Sequence, residues 1–243
     1  MLESPRYTGD LIKYHNQIYS CIPHADKMHE EVWKVSREYF GAQNRNKNSI
    51  KVIEIGCGLG ETTSWFIRNN RNNFFIEASD ISKDMIEHAR KGWRISEAVE
   101  KGKLALSVQD AFTYLPTKAD CEFDAFVSSW TLHNFSNEQR KSIITNAYRI
   151  LGTNGLFVCM DKMYDEKLSL EKMFHEQIKI YDGLDKRNQP EVKRAIIEHE
   201  KDDFKEGIRI NRGEFIDLLR KVGFRSVWAT KRIINDEVVC GIK

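Results

Sequence analysis

A β-rich run, Ile50 to Ile55 (IKVIEI), leads directly into the glycine loop Gly56-Cys57-Gly58-Leu59-Gly60, and a helix-like stretch from Glu61 to Arg68 follows. Glycines at such a junction let the backbone turn sharply and let a ligand approach the chain without meeting a Cβ. Taken alone, the loop is also compatible with a plain strand-to-helix turn. The alternation downstream supplies the context. Phe74 to Ser79 reads as a second strand, and a helix capped by Ser82 follows, with Met85, Ile86 and Ala89 on one face. Leu104 to Val108 and Asp124 to Ser129 read as the third and fourth strands. Ser136 to Gln139 forms a capping box for a helix carrying Ile143, Ile144, Ala147 and Leu151, with Gly152 at its stop. Leu156 to Met160 is the fifth strand. Strands alternating with helices imply parallel pairing with right-handed crossovers, hence an open, doubly wound α/β sheet.

The C-terminal third breaks this rhythm. Leu170, Met173, Phe174, Ile178 and Tyr181 mark an amphipathic helix, and Glu191 to Lys205 a highly charged helical stretch; Asp185 to Glu206, mixing both signs, reads by default as a solvated helix. Asn211 opens a helix bearing Phe215, Leu218, Leu219 and Val222, which stops at Gly223. Ser226 to Thr230 and Val238 to Ile242 read as a closing antiparallel pair at the sheet edge. Near the start, Asp26 is expected to cap a helix with Met28, Val32, Val35 and Tyr39 on one side. The Asn-rich stretches Asn44 to Ser49 and Asn69 to Asn73 read as loops. The expected organisation is a helical lid over residues 1–47, a nucleoside-binding core over 48–161, a helical insertion for substrate recognition over 162–210, and the last helix and closing strands over 211–243.

Composition narrows the function classes. Lys and Arg (38) nearly cancel Asp and Glu (36), so no general field holds a polyanion, and a nucleic-acid partner is not expected. No apolar run approaches membrane-spanning length, and the start lacks the apolar stretch of a secretion signal. The five scattered cysteines have no Cys-x-x-Cys pair, which disfavours a disulfide framework or zinc cluster and makes a cytoplasmic setting the simplest expectation. No metal is expected.

The acids after the strands carry the ligand argument. Asp80 ends the second strand, 24 positions after Gly56, and Asp110 follows the third strand. With Glu54 they line the sheet edge where ligands bind in open α/β folds, Asp80 placed for ribose hydroxyls and Asp110 for an adenine amino group. A dinucleotide fingerprint fails, because the position three after Gly58 is Glu61, a carboxylate that would oppose a pyrophosphate. A phosphate-binding loop fails too, since no Gly-Lys-Ser/Thr follows. A phosphate-free nucleoside bearing an ammonium group fits better, with Glu54 near that group.

Glu54, Gly56, Gly58, Gly60, Asp80, Asp110 and the segment Ser128-Ser129-Trp130-Thr131-Leu132-His133 together resemble the class I S-adenosylmethionine-dependent methyltransferases, over roughly residues 48 to 161. The resemblance implies a Rossmann-like sheet, mostly parallel with a C-terminal antiparallel strand, and S-adenosyl-L-methionine as cofactor. It places the methionine part on the three glycines, the ribose on Asp80, adenine beside Ile81 and against Asp110 and Ala111, and Ser128 near the sulfur. It is nearly silent on the acceptor, for which a small molecule is the expectation; self-association as a homodimer is left open.

A second resemblance, to the carboxy-S-adenosylmethionine synthase group, rests on Ile22-Pro23, Leu132 to Phe135, Asp161-Lys162-Met163 and the basic pair Lys193-Arg194. It implies chemistry on the cofactor itself. Internal cyclisation releasing methylthioadenosine and a catalytically idle nucleoside-binding module are also compatible with these residues. For proton removal from an acceptor the candidates are His133, Tyr19 and Asp161. Tyr14, His24, Trp130, Asn134 and Arg194 are the candidate substrate contacts, with Tyr14, Tyr19 and His24 in a segment that folds over the cofactor. Plain packing is the competing reading for the aromatic residues among them.

Overall fold

The computed structural model describes residues 9–42, 49–69 and 73–243; most of the two Asn-rich stretches, 44–48 and 70–72, lies outside them. In chain order the sheet strands are β1 (Ile50–Ile55), β2 (Phe74–Asp80), β3 (Leu104–Val108), β4 (Phe123–Ser129), β5 (Leu151–Lys162), β6 (Arg225–Ala229) and β7 (Asp236–Ile242). They form one sheet in the order β3-β2-β1-β4-β5-β7-β6. The first five pair in parallel, whereas β7 runs antiparallel to both β5 and β6. The expected closing pair is therefore present, with β6 at the edge and β7 inside it. The order reverses between β1 and β4, which opens a crevice at the carboxyl ends of the parallel strands.

The helices are α1 (Asp10–Lys13), α2 (His15–Tyr19), α3 (Ala25–Ala42), α4 (Glu61–Arg68), α5 (Lys83–Lys91), α6 (Trp93–Glu100), α7 (Ala111–Tyr114), α8 (Asn137–Ile150), α9 (Leu170–Lys179), α10 (Asp182–Lys186), α11 (Pro190–Asp203) and α12 (Arg212–Val222). Side chains of β1 alternate between two cores, as a strand's period of two requires. Ile50 and Val52 pack with Met28, Val32 and Phe66 from α3 and α4. Ile53 and Ile55 pack with Ile143, Ala147 and Leu219 from α8 and α12. Ser82 caps α5 by accepting from the Met85 amide, and Ser136 and Gln139 form the expected capping box on α8.

Four local expectations are corrected. Helix α3 begins at Ala25, so Asp26 lies in its first turn instead of capping it. Gly152 does not stop α8: the chain leaves the helix at Ile150 in extended backbone and enters β5, pairing Leu151 with Phe123, and the left-handed turn falls at Asn154 (φ 57). The charged helix α11 is not simply solvated, because Val192, Ile196, His199, Glu200 and Asp203 are buried along one side. The lid is also smaller than residues 1–47, since α3 belongs to the sheet's core. Among the described residues before α3, Leu11 of α1 and Ile18 of α2 pack on Tyr181, Leu184, Val192 and Ile196 of the insertion. Among the described residues, no helix is long and apolar enough to cross a membrane.

Candidate active site

A cavity of about 250 Å³ opens at the crevice, bounded by the glycine loop, the ends of β1 to β5, α2, the start of α3 and the insertion helices. Gly56 turns with φ +62, and a Cβ there would meet Thr131 Oγ1 at 2.2 Å. Only glycine fits this left-handed position beside that neighbour. Asp80 holds the loop in place: its Oδ2 accepts from the Gly58 amide (3.0 Å) and its Oδ1 from the Ser82 amide (2.8 Å). Each oxygen keeps a second lone pair for a hydroxyl group. Asp110 Oδ1 accepts from the Phe112 amide (3.0 Å), while Oδ2 is buried and has no partner among the described residues. A buried acceptor left bare is costly, so its natural complement is a ligand donor. Ile81 and Ala111 line the same end, Ile81 with an unusually exposed aliphatic face.

Glu54 is 2% exposed, and its Oε2 accepts from Thr63 Oγ1 at 2.6 Å. Burial pushes its carboxyl up to about 8, with Glu61 and Asp80 adding to the rise. The expected carboxylate near an ammonium group is thus a largely neutral acid at pH 7, until a cation beside it draws the value down. Two cofactor assignments are displaced. The Ser128 hydroxyl is buried off the cavity, and Ser129 lines it instead, because neighbouring strand residues face opposite sides. Gly60 does not reach the cavity; it lets α4 start with φ +86 against Ile95.

His133 sits just beyond β4 and lines the cavity. Its Nδ1 lies 2.6 Å from Asp161 Oδ1, and Asp161 Oδ2 accepts from the His133 amide at 3.1 Å. Asp161 is fully buried and does not line the cavity, so it stands behind the imidazole, not beside an acceptor. With Nδ1–H directed at that carboxylate, Nε2 is left as the basic atom. Tyr19 is a wall and not a base: its hydroxyl donates to Asp26 Oδ1 (3.0 Å), and burial together with Asp26 and Glu61 pushes its acidity far out of the physiological range. Asn134 lines the cavity with its Oδ1 buried and bare.

Trp130 also lines it, held in left-handed backbone (φ 47) while its Nε1 donates to Asp236 Oδ1 at 2.7 Å. A bulky residue is rarely found there, so the indole's position is imposed by its surroundings. The other oxygen of Asp236 takes His24 Nε2 (2.6 Å), which corrects the expected substrate contact: His24 is a buried brace behind Trp130. Tyr14 does not line the cavity either; it packs against the cluster that joins α1 and α2 to α10 and α11. Arg194 is exposed and away from the cavity, and Lys193 is paired with Asp182 and Asp185. The basic pair therefore offers no carboxylate site in the crevice.

Several lining groups escape sequence reading. Lys162 Nζ binds Glu200 Oε2 (3.1 Å) and Asp203, and Glu200 Oε1 accepts from Tyr181 (2.7 Å) and Gln177 (3.2 Å). His133, His199 and Asp203 bring ligating atoms within 4.8 Å of one another. Sequence spacing does not join His133 to the other two, because the group is assembled in space; the Lys162 ammonium beside Asp203 makes it an ion-paired network. The i, i+4 spacing of His199 and Asp203 on one helix was the available signal.

Residues 52–155 match a family model described as a methyltransferase domain. Over that stretch the sheet order and the crevice are those of the S-adenosylmethionine-dependent methyltransferase fold, and S-adenosylmethionine is the cofactor such a domain takes. The chain is 25% identical over 129 residues to a demethylmenaquinone methyltransferase of Symbiobacterium thermophilum, covering 53% of this chain and 49% of that one. It is 24% identical over 144 residues to a ubiquinone/menaquinone biosynthesis C-methyltransferase of Wigglesworthia glossinidia brevipalpis, covering 55% and 54%. The chain thus spans about half the length of the curated relatives it matches. In fold it resembles a methyltransferase from Archaeoglobus fulgidus (TM-score 0.62, 15% identity, 95% of this chain and 100% of that one). It also resembles the CurJ carbon methyltransferase (TM-score 0.63, 17% identity, 90% and 54%). The bare Asp110 Oδ2, the left-handed Gly56 and the exposed Ile81 face fit a phosphate-free nucleoside of this kind.

Proposed function

We propose that this domain methylates a small-molecule acceptor, with His133 as general base and Asp161 as its positioning residue. The carrying observation is the His133–Asp161 pair, which fixes the imidazole at the wall of the cavity that also contains the glycine loop. Asp80, Asp110, Ile81, Ala111, Gly56 and Gly58 would hold the cofactor, with Asn134 as a further contact. When bound, that cofactor supplies an activated methyl group whose transfer in an in-line displacement discharges the sulfonium.

The chain's contribution is orientation, exclusion of water and removal of a proton. His133 Nε2 takes the proton from the acceptor atom as that atom becomes a nucleophile. The imidazolium so formed keeps Asp161 at Nδ1 and faces Asp203 Oδ2 at 3.7 Å, two carboxylates that stabilise the positive ring. Tyr19, Trp130, Ile18, Tyr181 and Ile196 close the acceptor end with largely apolar surface. The lid α1–α2 and the insertion helices α9 to α11 are the acceptor-recognition elements in this reading. Such a site suits an acceptor whose methylated atom carries an ionisable proton, an activated carbon or a hydroxyl. The names of the relatives, two of them quinone methyltransferases, support this class.

Incubation of the protein with S-adenosylmethionine and a cell metabolite extract, followed by mass spectrometry, tests the reading. The expected result is S-adenosylhomocysteine together with one metabolite heavier by a methylene unit; methylthioadenosine or a carboxylated cofactor would reject it. His133→Ala should lower turnover by about 10²–10⁴-fold with unchanged S-adenosylhomocysteine affinity. Full turnover would remove His133 as the base.

A further inference from the structure

The first turns of α3 carry a second histidine to the cavity wall, and its hydrogen bonding defines its chemistry. His29 is 4% exposed, with Nδ1 at 2.6 Å from Thr62 Oγ1. The Thr62 hydroxyl donates its single proton to Ser129 Oγ at 2.8 Å. Thr62 can therefore only accept from His29, which puts the imidazole proton on Nδ1 and a lone pair on Nε2. That Nε2 is buried, without a partner among the described residues, and belongs to a side chain lining the cavity.

The ring cannot turn away. It stacks on Tyr19 (5.9 Å, 20°) and meets Trp130 edge-on (5.0 Å, 85°), and Trp130 is itself held by Asp236. Burial pushes the His29 imidazole down to about 4, so it stays neutral despite the nearby Glu61, Asp26 and Asp236. A neutral, fixed lone pair is a poor base at pH 7 and a poor anchor for an anion. It is a good partner for a neutral hydroxyl or N–H group.

We propose that His29 determines acceptor specificity, its Nε2 accepting a hydrogen bond from a neutral hydroxyl or N–H donor on the methyl acceptor. This rests on the small-molecule reading above. Location favours the acceptor over the cofactor: Asp80 and Asp110 serve the nucleoside at the ends of β2 and β3, whereas His29 stands beside Ser129 and Trp130 at the end of β4. His133 and the insertion helices lie on that side. The proposal supplies a positive discriminator, because a donor-bearing ring leaves no acceptor bare while its donor-free analogue does.

The test uses the full chain, labelled with ¹⁵N-histidine and saturated with S-adenosylhomocysteine, with phenol as donor-bearing probe and anisole as its donor-free counterpart. The His29 resonances, assigned by comparison with His29→Phe, should show a protonated Nδ1 and a bare Nε2. Phenol should move the Nε2 resonance and bind about threefold to tenfold more tightly than anisole. His29→Phe should abolish that preference while S-adenosylhomocysteine affinity stays within about twofold. A protonated Nε2, an unmoved resonance, or equal binding of the two probes to the unmodified chain overturns the proposal. Loss of S-adenosylhomocysteine affinity in His29→Phe overturns it too, by assigning the lone pair to the cofactor. His133→Ala should keep the phenol preference, so failure of the base assignment and failure of the His29 proposal are read separately.

Discussion

Two aspartates at successive strand ends do different physical jobs. Asp80 spends one lone pair of each oxygen on a backbone amide, Gly58 and Ser82, so it shapes the loop as well as facing the crevice. Asp110 uses Oδ1 for the Phe112 amide and leaves Oδ2 bare. Asp110→Asn keeps an oxygen for the amide but presents an NH₂ group where a ligand donor would sit. Its S-adenosylhomocysteine affinity should fall by about 1–3 kcal/mol with little change in melting temperature. Asp80→Ala should lower both, since it also strips two amides of their acceptor. Calorimetry and thermal unfolding on the two variants check the contrast; equal affinity of Asp110→Asn and the unmodified chain would refute the adenine assignment.

Between residue and sheet, the element that matters most is the loop carrying His133, and α8 supports it through Arg140. This arginine is 3% exposed, and its guanidinium donates to the carbonyls of Leu132 (3.2 Å), Phe135 (2.7 Å) and Ile208 (2.5 Å). It thereby ties the loop after β4 to the chain entering α12. Arg140→Leu keeps apolar bulk but removes the donor from the Phe135 and Ile208 carbonyls and leaves the Leu132 carbonyl only the Phe135 amide, an expected loss of about 2–4 kcal/mol in stability. Turnover should drop further than stability alone accounts for, because the Leu132 carbonyl adjoins His133. Urea unfolding and steady-state rates at a temperature where the variant is folded measure the two effects; rates equal to the unmodified chain would deny Arg140 a positioning role.

Over the whole molecule, two buried groups set opposing pH responses. His29 is lowered to about 4 when folded, with Glu61, Asp26, Asp236 and His15 facing it; below its ordinary value near 6.5 the unfolded chain takes up a proton the folded one refuses. Its stabilising contribution is therefore complete above 6.5 and lost as pH falls toward 4. Glu54 is raised to about 8, with Thr63, Glu61 and Asp80 around it; between 4.5 and 8 the folded chain keeps a proton the unfolded one has released. Its contribution is complete below 4.5 and lost as pH rises. The two slopes cancel between 4.5 and 6.5, and from 6.5 to 8 the Glu54 slope of about 1.4 kcal/mol per pH unit remains. Glu54→Gln should remove that alkaline loss in urea unfolding of the protein without added ligand. A variant whose profile keeps the same decline from 6.5 to 8 would show that Glu54 is not its source.

What could be read from residues alone was whatever has a short period or a fixed local partner. The five parallel strands, the Ser82 and Ser136 caps, the glycine loop and the acids after β2 and β3 depend on neighbours within a few positions, and the parallel pairing then follows from general rules of connection, whereas the strand order was left to the structure. Roles that depend on distant pairing went astray. His24 belongs to Asp236, 212 residues away, and Asp161 stands behind His133 across 28 positions. The Nε2 lone pair of His29 exists only because Thr62, 33 residues on, meets Ser129. Periodicity marked α11 as charged but not that His199, Glu200 and Asp203 turn inward, since that burial comes from docking Val192 and Ile196 against Leu11 and Ile18. A hydrogen-bonding side chain takes its chemistry from its partner, and for these groups tertiary packing chose the partner.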